Sequence, residues 1–305
     1  MNVLNLIQAG KIKRYLRSRG KLNFPGLVSH ITQHAAGRDP LFVEDSDFLY
    51  FLKLLKEISQ NSRLSIFSFC LMTNHLHLLM RQEEKNLPEA MHDLFMRYAF
   101  YFNRKYARKG HLFSGPFGQA ACFDDYYLLS SSFYIHLNPV RAGMVDDYSD
   151  YRWSTWRLYC QAGAPDTFVN WKFILEMVEN DINSAKRKYR DLLDRASHYQ
   201  GGQANDLTTS VGKFSNWIRK VFPGLINKSA GDEERKELPE GYISDRELEE
   251  AISSLREKKR LTEPGDKKTR KFAIEQLRAR GLSIKEIADY LGISRASVYN
   301  MLSSK

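Results

Sequence analysis

The stretch Cys70-Leu-Met-Thr-Asn-His-Leu-His-Leu-Leu-Met80 is the segment of this 305-residue chain that decides its fold. It is an apolar run, and the part from His75 to Arg81 is typical of a β-strand. Successive side chains of a strand point to opposite faces, so His75 and His77 would project from the same face of a sheet. Two neutral imidazoles placed in this way can bind one metal ion, although histidines in strands are more often hydrogen-bonded core or surface residues than ligands.

A second segment, Phe133-Tyr-Ile-His-Leu-Asn-Pro-Val-Arg-Ala-Gly-Met-Val145, predicts a helix that carries a candidate nucleophile. Tyr134 and Asn138 are four residues apart and would lie one above the other. We expect the helix to begin at a cap from Asp124 and to end near Asn138, because Pro139 removes the next donor and disfavours helix at the preceding residue. The alternatives are a half-buried packing role for Tyr134 and a helix C-cap role for Asn138.

The elements around these two segments alternate between strand and helix patterns. Alternating apolar residues predict strands, and apolar residues at spacings of three and four predict helices. The expected elements are a strand over Gly26–Gln33, a helix over Asp45–Ser59, strands over Arg63–Leu71 and His75–Arg81, a helix over Asn86–Arg108, and a loop with a short strand over Gly110–Phe123. With the tyrosine helix after them, this order matches the split βαβ pattern of a ferredoxin-like α+β domain.

Six motifs follow one another between about Pro25 and Tyr159. They are Gly26-Leu-Val-Ser-His-Ile-Thr-Gln33, Met72-Thr-Asn-His-Leu-His-Leu-Leu79, Tyr101-Phe-Asn103, Gly110-His-Leu-Phe113, Tyr134-Ile-His-Leu-Asn-Pro-Val-Arg-Ala-Gly143 and Tyr151-Arg-Trp-Ser154. Together they resemble the single-tyrosine HUH transposases, where HUH means His-hydrophobic-His. The resemblance is specifically to the transposases associated with repetitive extragenic palindromes in bacteria.

This resemblance implies a ferredoxin-like HUH nuclease domain with an antiparallel sheet, which nicks single-stranded hairpin DNA. The sequence leaves open whether the protein is a monomer or a homodimer. It implies that Tyr134 attacks the scissile phosphate, becomes linked to the 5′ phosphate and leaves a free 3′ hydroxyl. His75 and His77 would hold a divalent metal ion. With Asn138 as a neutral oxygen ligand, the set suits Mg²⁺ or Mn²⁺ better than a closed structural zinc site.

The chain departs from the family pattern after Phe113. Relatives place an arginine in the position that Pro116 occupies within Ser114-Gly-Pro-Phe117. That arginine would help to hold DNA. Its replacement predicts either altered substrate handling or an enzyme that has lost activity, and the retained His75, His77 and Tyr134 favour the first of these.

Other polar and aromatic residues near the motifs have weaker claims to a function. His136 is two positions from Tyr134 and should point elsewhere on the helix, to packing or to DNA, and His111 and His30 are weaker candidates still. Arg141 follows the expected end of the helix and could contact phosphate or be solvated.

Two tryptophans lie near the end of the motif region. Trp153 and Trp156 should close the core, because an aromatic-rich segment is more often packing than a platform for stacked bases.

The bulk composition favours a polyanionic partner. Forty-six Lys and Arg against 36 Asp and Glu give a net charge of +10, so nucleic acid is the leading partner and an acidic membrane surface is second. No apolar run approaches the length that spans a bilayer and nothing resembles a secretory signal, so we expect a soluble, cytoplasmic protein without a membrane partner. Cys70, Cys122 and Cys160 are widely spaced, so we expect reduced, mostly buried thiols rather than disulfides or a zinc site.

The expected domain organisation has four parts. Residues 1–22 form an arm with six basic and no acidic residues, either a solvated tail or a DNA contact. The nuclease domain covers 23–159, and a helical region with linkers covers 160–243, with a helical stretch over Trp171–Asp194 and a charged span over Lys228–Glu240. A DNA-binding helix-turn-helix covers 244–305.

The last segment has the capping signals of three short helices: Thr269–Gly281, Ser283–Tyr290 and Ser294–Ser303. Ser283 and Glu286 form a capping box, Gly292 tolerates the positive φ of a turn, and Ser294 can cap the last helix. This pattern resembles a DNA-binding helix-turn-helix such as occurs in longer members of the same transposase group.

Residues 266–305 carry nine basic against four acidic side chains, a balance of +5. The candidate contacts to phosphates and base edges, which would include duplex DNA, are Lys267, Lys268, Lys271, Arg280, Arg295, Ser297, Tyr299 and Asn300. A helical hairpin for dimerisation is the alternative for this segment. For the whole protein, the alternatives to a transposase are a non-catalytic DNA-binding regulator and a metal-dependent RNA nuclease that uses an activated water.

Overall fold

The structure, a computed structural model, describes residues 21–37, 39–122, 125–163, 165–199, 207–222, 224–225, 245–257, 264–279 and 284–303. Several predicted features lie outside these residues: most of the basic arm, the Asp124 and Ser283 caps, the charged span Lys228–Glu240, and Arg280. The contacts divide the described chain into two units: one covers 23–199 and 213–225, and the other covers 21–22, 207–212 and the described residues of 245–303.

The first unit contains a four-stranded sheet and the helices that pack on it. Its elements are β1 (Val28–His34), α1 (Asp45–Asn61), β2 (Leu64–Leu71), β3 (His75–Gln82), α2 (Leu87–Lys105), β4 (Gly118–Cys122), α3 (Asp125–Arg141), a short 3₁₀ turn (Tyr148–Asp150), α4 (Trp156–Cys160), α5 (Lys172–Glu176), α6 (Ile182–Ser197) and, from residue 213 onward, α7 (Leu207–Val221). These bounds confirm the predicted order of strands and helices.

The strands lie in the order β2-β3-β1-β4, and every neighbouring pair is antiparallel. This is the arrangement expected for a split βαβ domain, because each helical crossover leaves one strand position free for a later strand to fill. The predicted ferredoxin-like antiparallel sheet is therefore confirmed.

Period-two alternation gives the sheet two different faces. Ile31, Leu76, Leu78 and Met80 are fully buried and pack in the main core with residues of α1 and α2. Their neighbours along β1 and β3 point the other way, toward α3. Most of the hydrophobic stabilisation of the sheet lies on the first face, and the histidines of β1 and β3 lie on the second.

The tyrosine helix does not end where the sequence predicted. α3 runs through Pro139 to Arg141. The nitrogen of Pro139 cannot donate, but hydrogen bonding resumes when the amide of Ala142 donates to Asn138 O at 2.9 Å. Gly143, with φ of +65°, then ends the helix.

The predicted helical stretch over Trp171–Asp194 is also corrected. It consists of two helices, α5 and α6. Asp181 accepts a hydrogen bond from the amide of Ser184 at 2.8 Å and so caps a new helix start in the middle of the stretch.

The second unit is helical: α8 (Asp245–Glu257), α9 (Pro264–Ala279), α10 (Ile284–Leu291) and α11 (Arg295–Ser303). Its buried core includes Phe272, Leu277, Ile287 and Val298 together with apolar residues of α8. Gly292 has a φ of +63°, and the hydroxyl of Ser294 accepts from the amide of Ser297 at 3.1 Å. The predicted turn and cap of the helix-turn-helix are therefore confirmed.

Two further expectations concern bulk properties. Cys70, Cys122 and Cys160 are buried and free, as predicted. None of the helices in the described ranges has the length and apolar character needed to cross a membrane.

The pairing of β1 with β4 depends on a glycine. Gly118 lies opposite the buried Thr32, and a Cβ at Gly118 would lie only 2.3 Å from the Oγ1 of Thr32. We therefore expect Gly118→Ala to destabilise the protein by about 1–3 kcal/mol, as overpacking of a filled site does. Thermal unfolding followed by circular dichroism measures this change.

The matched control is Gly212→Ala on α7. A Cβ there meets no described atom within 4 Å, and alanine favours helix over glycine by about 1 kcal/mol. An unchanged melting temperature for Gly118→Ala would contradict the close approach of β4 to Thr32.

Candidate active site

Strand β3 presents His75 and His77 on the face of the sheet that α3 covers. Their ring centroids are 5.1 Å apart. His77 is buried and His75 is half-buried. The prediction that both imidazoles share one face is confirmed by the register of β3 with β1.

Strand β1 adds two more histidines that the sequence analysis did not place here. His30 Nε2 lies 3.0 Å from His77 Nδ1 in a buried hydrogen bond. His34, opposite His75 in the ladder, stacks on the His75 ring at 5.0 Å with an interplanar angle of 13°. The sequence shows that His30 and His34 are four residues apart in one strand and so point to the same face. Which strand pairs with β1, and therefore which residues these histidines meet, is not contained in that spacing.

Helix α3 brings Tyr134 onto this cluster. The half-buried Tyr134 ring meets the His30 and His77 rings edge to face, with centroid distances of 6.1 and 6.0 Å. Asn138 lies one turn further along and is 7% exposed. The predicted neighbourhood of Tyr134 with the His75–His77 strand is thus present in the structure.

Arg141 lies on the turn of α3 after Asn138. Its guanidinium is 4.8 Å from the centroid of the Tyr134 ring and 4.5 Å from that of Phe214 on α7. The alternative of a freely solvated arginine is therefore wrong: the side chain is half-buried between two rings, and this burial lowers the pKa of the guanidinium. Phe214 was not foreseen, because it comes from a distant part of the chain.

The histidines of the cluster are neutral near pH 7. Burial lowers the pKa of His30 to about 3. For His75, burial and then the nearby His34 lower the pKa to about 4. Burial first, and the neighbouring histidines second, hold the pKa of His77 well below its usual range. Neutral imidazole is the form that can bind a metal ion.

The donor set fits a divalent cation held by few protein ligands. Within the described ranges, no three His, Cys, Asp or Glu side chains form a group that could hold a metal, so a closed site is not present among them. His77 Nε2 and Asn138 Nδ2 are buried and make no hydrogen bond to the described part of the protein, and His75 Nδ1 bonds to Asn74 Oδ1 at 2.7 Å. Ring nitrogens of His75 and His77 on β3 and the amide oxygen of Asn138 on α3 therefore remain as candidate ligands.

The opposite side of α3 is held by buried polar side chains. His136 bonds through Nδ1 to the Tyr189 hydroxyl and through Nε2 to Thr155 Oγ1, both at 2.9 Å. The same Tyr189 hydroxyl lies 2.7 Å from Ser132 Oγ. Of the two roles considered for His136, packing is therefore the one observed, and α6 is directly attached to the tyrosine helix.

Both tryptophans pack as predicted. Trp156 is 5% exposed. Trp153 is half-buried and stacks on Phe48 with ring centroids 4.3 Å apart. They close the core of the first unit and do not form a platform for bases.

Pro116 is exposed in the loop that joins α2 to β4. The loop is tied to the end of β1: Gln33 Nε2 donates to Gly115 O at 2.9 Å, and the amide of Ser114 donates to His34 O at 3.0 Å. The loop therefore stays beside the histidine cluster although it lacks the arginine of the family pattern. His111, also in this loop, is exposed.

The candidate DNA contacts of the second unit lie on its helices α9 and α11. Lys267, Lys268, Arg295, Tyr299 and Asn300 are exposed. The other two described candidates, Lys271 and Ser297, are half-buried. Most of the described candidates are thus on the surface of the unit, and their role remains a prediction.

We expect Tyr189→Phe to weaken the attachment of the tyrosine helix. The change removes the hydroxyl that Ser132 and His136 share and leaves the buried His136 Nδ1 without its partner, which costs about 1–3 kcal/mol. Chemical denaturation measures the loss of stability. Tyr50→Phe is the control, because the Tyr50 ring packs on Tyr101 by stacking, at 3.9 Å between centroids. Equal stabilities of the two variants would contradict the proposed attachment.

Comparisons with known proteins find similarity over two segments of the chain. Residues 24–138 match the family model described as IS200-like transposase, and residues 266–304 match a homeodomain-like domain. A search of curated proteins finds no significant match. Among solved structures, a REP-associated tyrosine transposase bound to a REP hairpin is 14% identical, with 48% of this chain and 85% of that chain covered and a TM-score of 0.41. Residues 24–138 are therefore similar to the IS200-like transposase family, and residues 266–304 are similar to homeodomain-like domains.

Proposed function

We propose that this protein is a site-specific single-stranded DNA transposase and nickase that cleaves through a covalent 5′-phosphotyrosine at Tyr134. The observation that carries the proposal is the position of Tyr134, whose ring lies edge to face with His77 at 6.0 Å on the face where the candidate metal ligands lie. The family-matched segment, residues 24–138, contains Tyr134 and all three candidate ligands.

The proposed reaction is a transesterification. The Tyr134 oxygen attacks the scissile phosphorus, the new bond joins this oxygen to the 5′ phosphate, and the bond from phosphorus to the 3′ oxygen breaks. The phenolic proton leaves, and the departing 3′ oxygen takes up a proton to become a free hydroxyl. A phosphotyrosine retains the energy of the phosphodiester, so the strand can be joined again, whereas attack by water would end in hydrolysis.

The side chains around Tyr134 have defined roles in this proposal. His75, His77 and Asn138 would hold Mg²⁺ or Mn²⁺, which would neutralise charge on the phosphoryl oxygens. The Arg141 guanidinium over the Tyr134 ring favours negative charge on the attacking oxygen. Because Arg141 has this position, its DNA contact would be at the scissile phosphate rather than along the duplex.

The proposed substrate is a palindromic single-stranded hairpin, and the homeodomain-like unit would add affinity for duplex DNA. The net charge of +10 suits both partners. The protein would act in the cytoplasm, as a monomer or a homodimer. Residues 244–305 are proposed to be the DNA-binding domain, in which the exposed Arg295, Tyr299 and Asn300 on α11 would contact phosphates and base edges.

We expect Tyr134→Phe to abolish cleavage and to leave hairpin binding nearly unchanged, because the ring still packs and only the nucleophilic oxygen is lost. The measurement is denaturing electrophoresis of a labelled hairpin after incubation with Mn²⁺, which separates the covalent protein–DNA adduct from free DNA. Tyr126→Phe, on the same helix two turns earlier, should still form the adduct. Cleavage without an adduct in the parent would support an activated water, and binding without cleavage would support a regulator.

A second experiment tests the helix-turn-helix. We expect Arg295→Ala to weaken binding to a mixed-sequence duplex and to reduce the slope of log affinity against log salt concentration by about 0.9, the contribution of one phosphate contact. Fluorescence anisotropy across a salt series measures both quantities. Glu286→Ala, on the preceding helix α10, should not reduce the slope. If Arg295→Ala leaves affinity and slope unchanged, dimerisation becomes the better explanation for this domain.

A further inference from the structure

His30 is a buried side chain for which the proposed reaction has no role. It is fully buried on β1, and its ring is next to both the His77 and the Tyr134 rings, with centroid distances of 5.1 and 6.1 Å. Its Nε2 lies 3.0 Å from His77 Nδ1. His30 Nδ1 and His77 Nε2, the outer nitrogens of the pair, have no hydrogen-bond partner in the described part of the chain.

A hydrogen bond between two neutral imidazoles has a direction. Each ring carries one proton, so one nitrogen of the pair donates and the other accepts. If His30 donates, the proton of His77 must be on Nε2, which then cannot bind a metal. If His77 donates through Nδ1, its Nε2 has a free lone pair, and the remaining proton of His30 is on Nδ1. Binding of a metal ion by His77 Nε2 therefore requires His30 Nε2 to accept the hydrogen bond from His77 Nδ1.

We propose that His30 is a positioning residue that accepts the Nδ1 proton of His77 and thereby holds His77 in the tautomer and orientation that offer Nε2 to a divalent cation. The inference rests on the proposed function, because it concerns the same metal site. Histidine ligands of metals commonly donate their second ring N–H to a partner that fixes the ring and strengthens the ligand.

In the described part of the chain, His30 Nε2 is the hydrogen-bond acceptor that lies next to His77 Nδ1. Water cannot replace it, because both rings are removed from solvent: His30 is 0% and His77 is 4% exposed. The ladder also fixes the distance. Thr32 lies directly opposite His77, so His30 reaches His77 diagonally from two residues earlier on the same face.

The test uses the full-length protein, free of DNA, with Mn²⁺ as the probe. Isothermal titration calorimetry measures the Mn²⁺ dissociation constant of the parent, His30→Leu, His30→Gln and His30→Asn. Leucine fills similar space without an acceptor, glutamine can place its oxygen near the position of Nε2, and asparagine is too short to do so. We expect affinity to fall about 10- to 100-fold for His30→Leu and His30→Asn, and glutamine to restore affinity to within about threefold of the parent.

Controls separate this inference from the proposed metal site itself. His77→Ala should abolish Mn²⁺ binding, and His92→Ala, at an exposed position on α2, should leave it unchanged. Equal Mn²⁺ affinity of the parent and His77→Ala would overturn the metal site and the inference with it. If only the His30 variants match the parent, the metal site stands and the role of His30 is wrong. A complete loss in both His30→Gln and His77→Ala would instead make His30 a ligand, which also contradicts a positioning role.

A second measurement needs no variant at this site. Nitrogen-15 NMR of the metal-free parent distinguishes protonated from unprotonated ring nitrogens of His77. We expect the proton on Nδ1, and a proton on Nε2 would overturn the inference even if every His30 variant fails to fold.

Discussion

The antiparallel register of β1 with β3 is the constraint on which the candidate site depends. It places His34 opposite His75 and Thr32 opposite His77, which sets four imidazoles on one face of the sheet. A slip of one residue would turn the histidines of one strand toward α1 and α2 and their apolar neighbours toward α3. The buried Ile31, Leu76 and Leu78 on the other face resist this slip, because each would leave the core. The apolar face therefore fixes the geometry of the polar one.

Helix α3 carries functional candidates on one side, and contacts on its other side hold it in place. It is anchored by hydrogen bonds rather than by an apolar stripe alone: His136 bonds to Tyr189 and Thr155, and Ser132 bonds to Tyr189 and Ser68. A buried polar network of this kind is satisfied only in one orientation of the helix, so it specifies rotation as well as depth. The orientation of Tyr134 toward His77 follows from that rotation.

Periodicity along the sequence predicted the features that lie within a single strand or helix. It did not predict the contacts that form when separate elements pair or pack. The shared face of His75 and His77, the one-turn spacing of Tyr134 and Asn138, and the turn at Gly292 needed only strand or helix geometry. His30 and Phe214 needed the strand register and the return of α7, which spacing along the chain does not contain. The error at Pro139 has a different cause: the local preference against helix before proline was overridden by the hydrogen bonds that continue α3 to Arg141.

The segment that matches the transposase family ends at Asn138, but the structural unit that holds Tyr134 does not. Tyr189 of α6 supports the back of α3, and Phe214 of α7 covers the guanidinium that lies over the Tyr134 ring. Both residues come from the region expected to be a helical extension with linkers. In the proposed reaction Tyr134 must be aligned with its phosphate to within a fraction of an ångström, so the residues that restrain its helix would belong to the site as much as those that face the substrate. The structural unit that holds Tyr134 is thus larger than the segment that matches the family model.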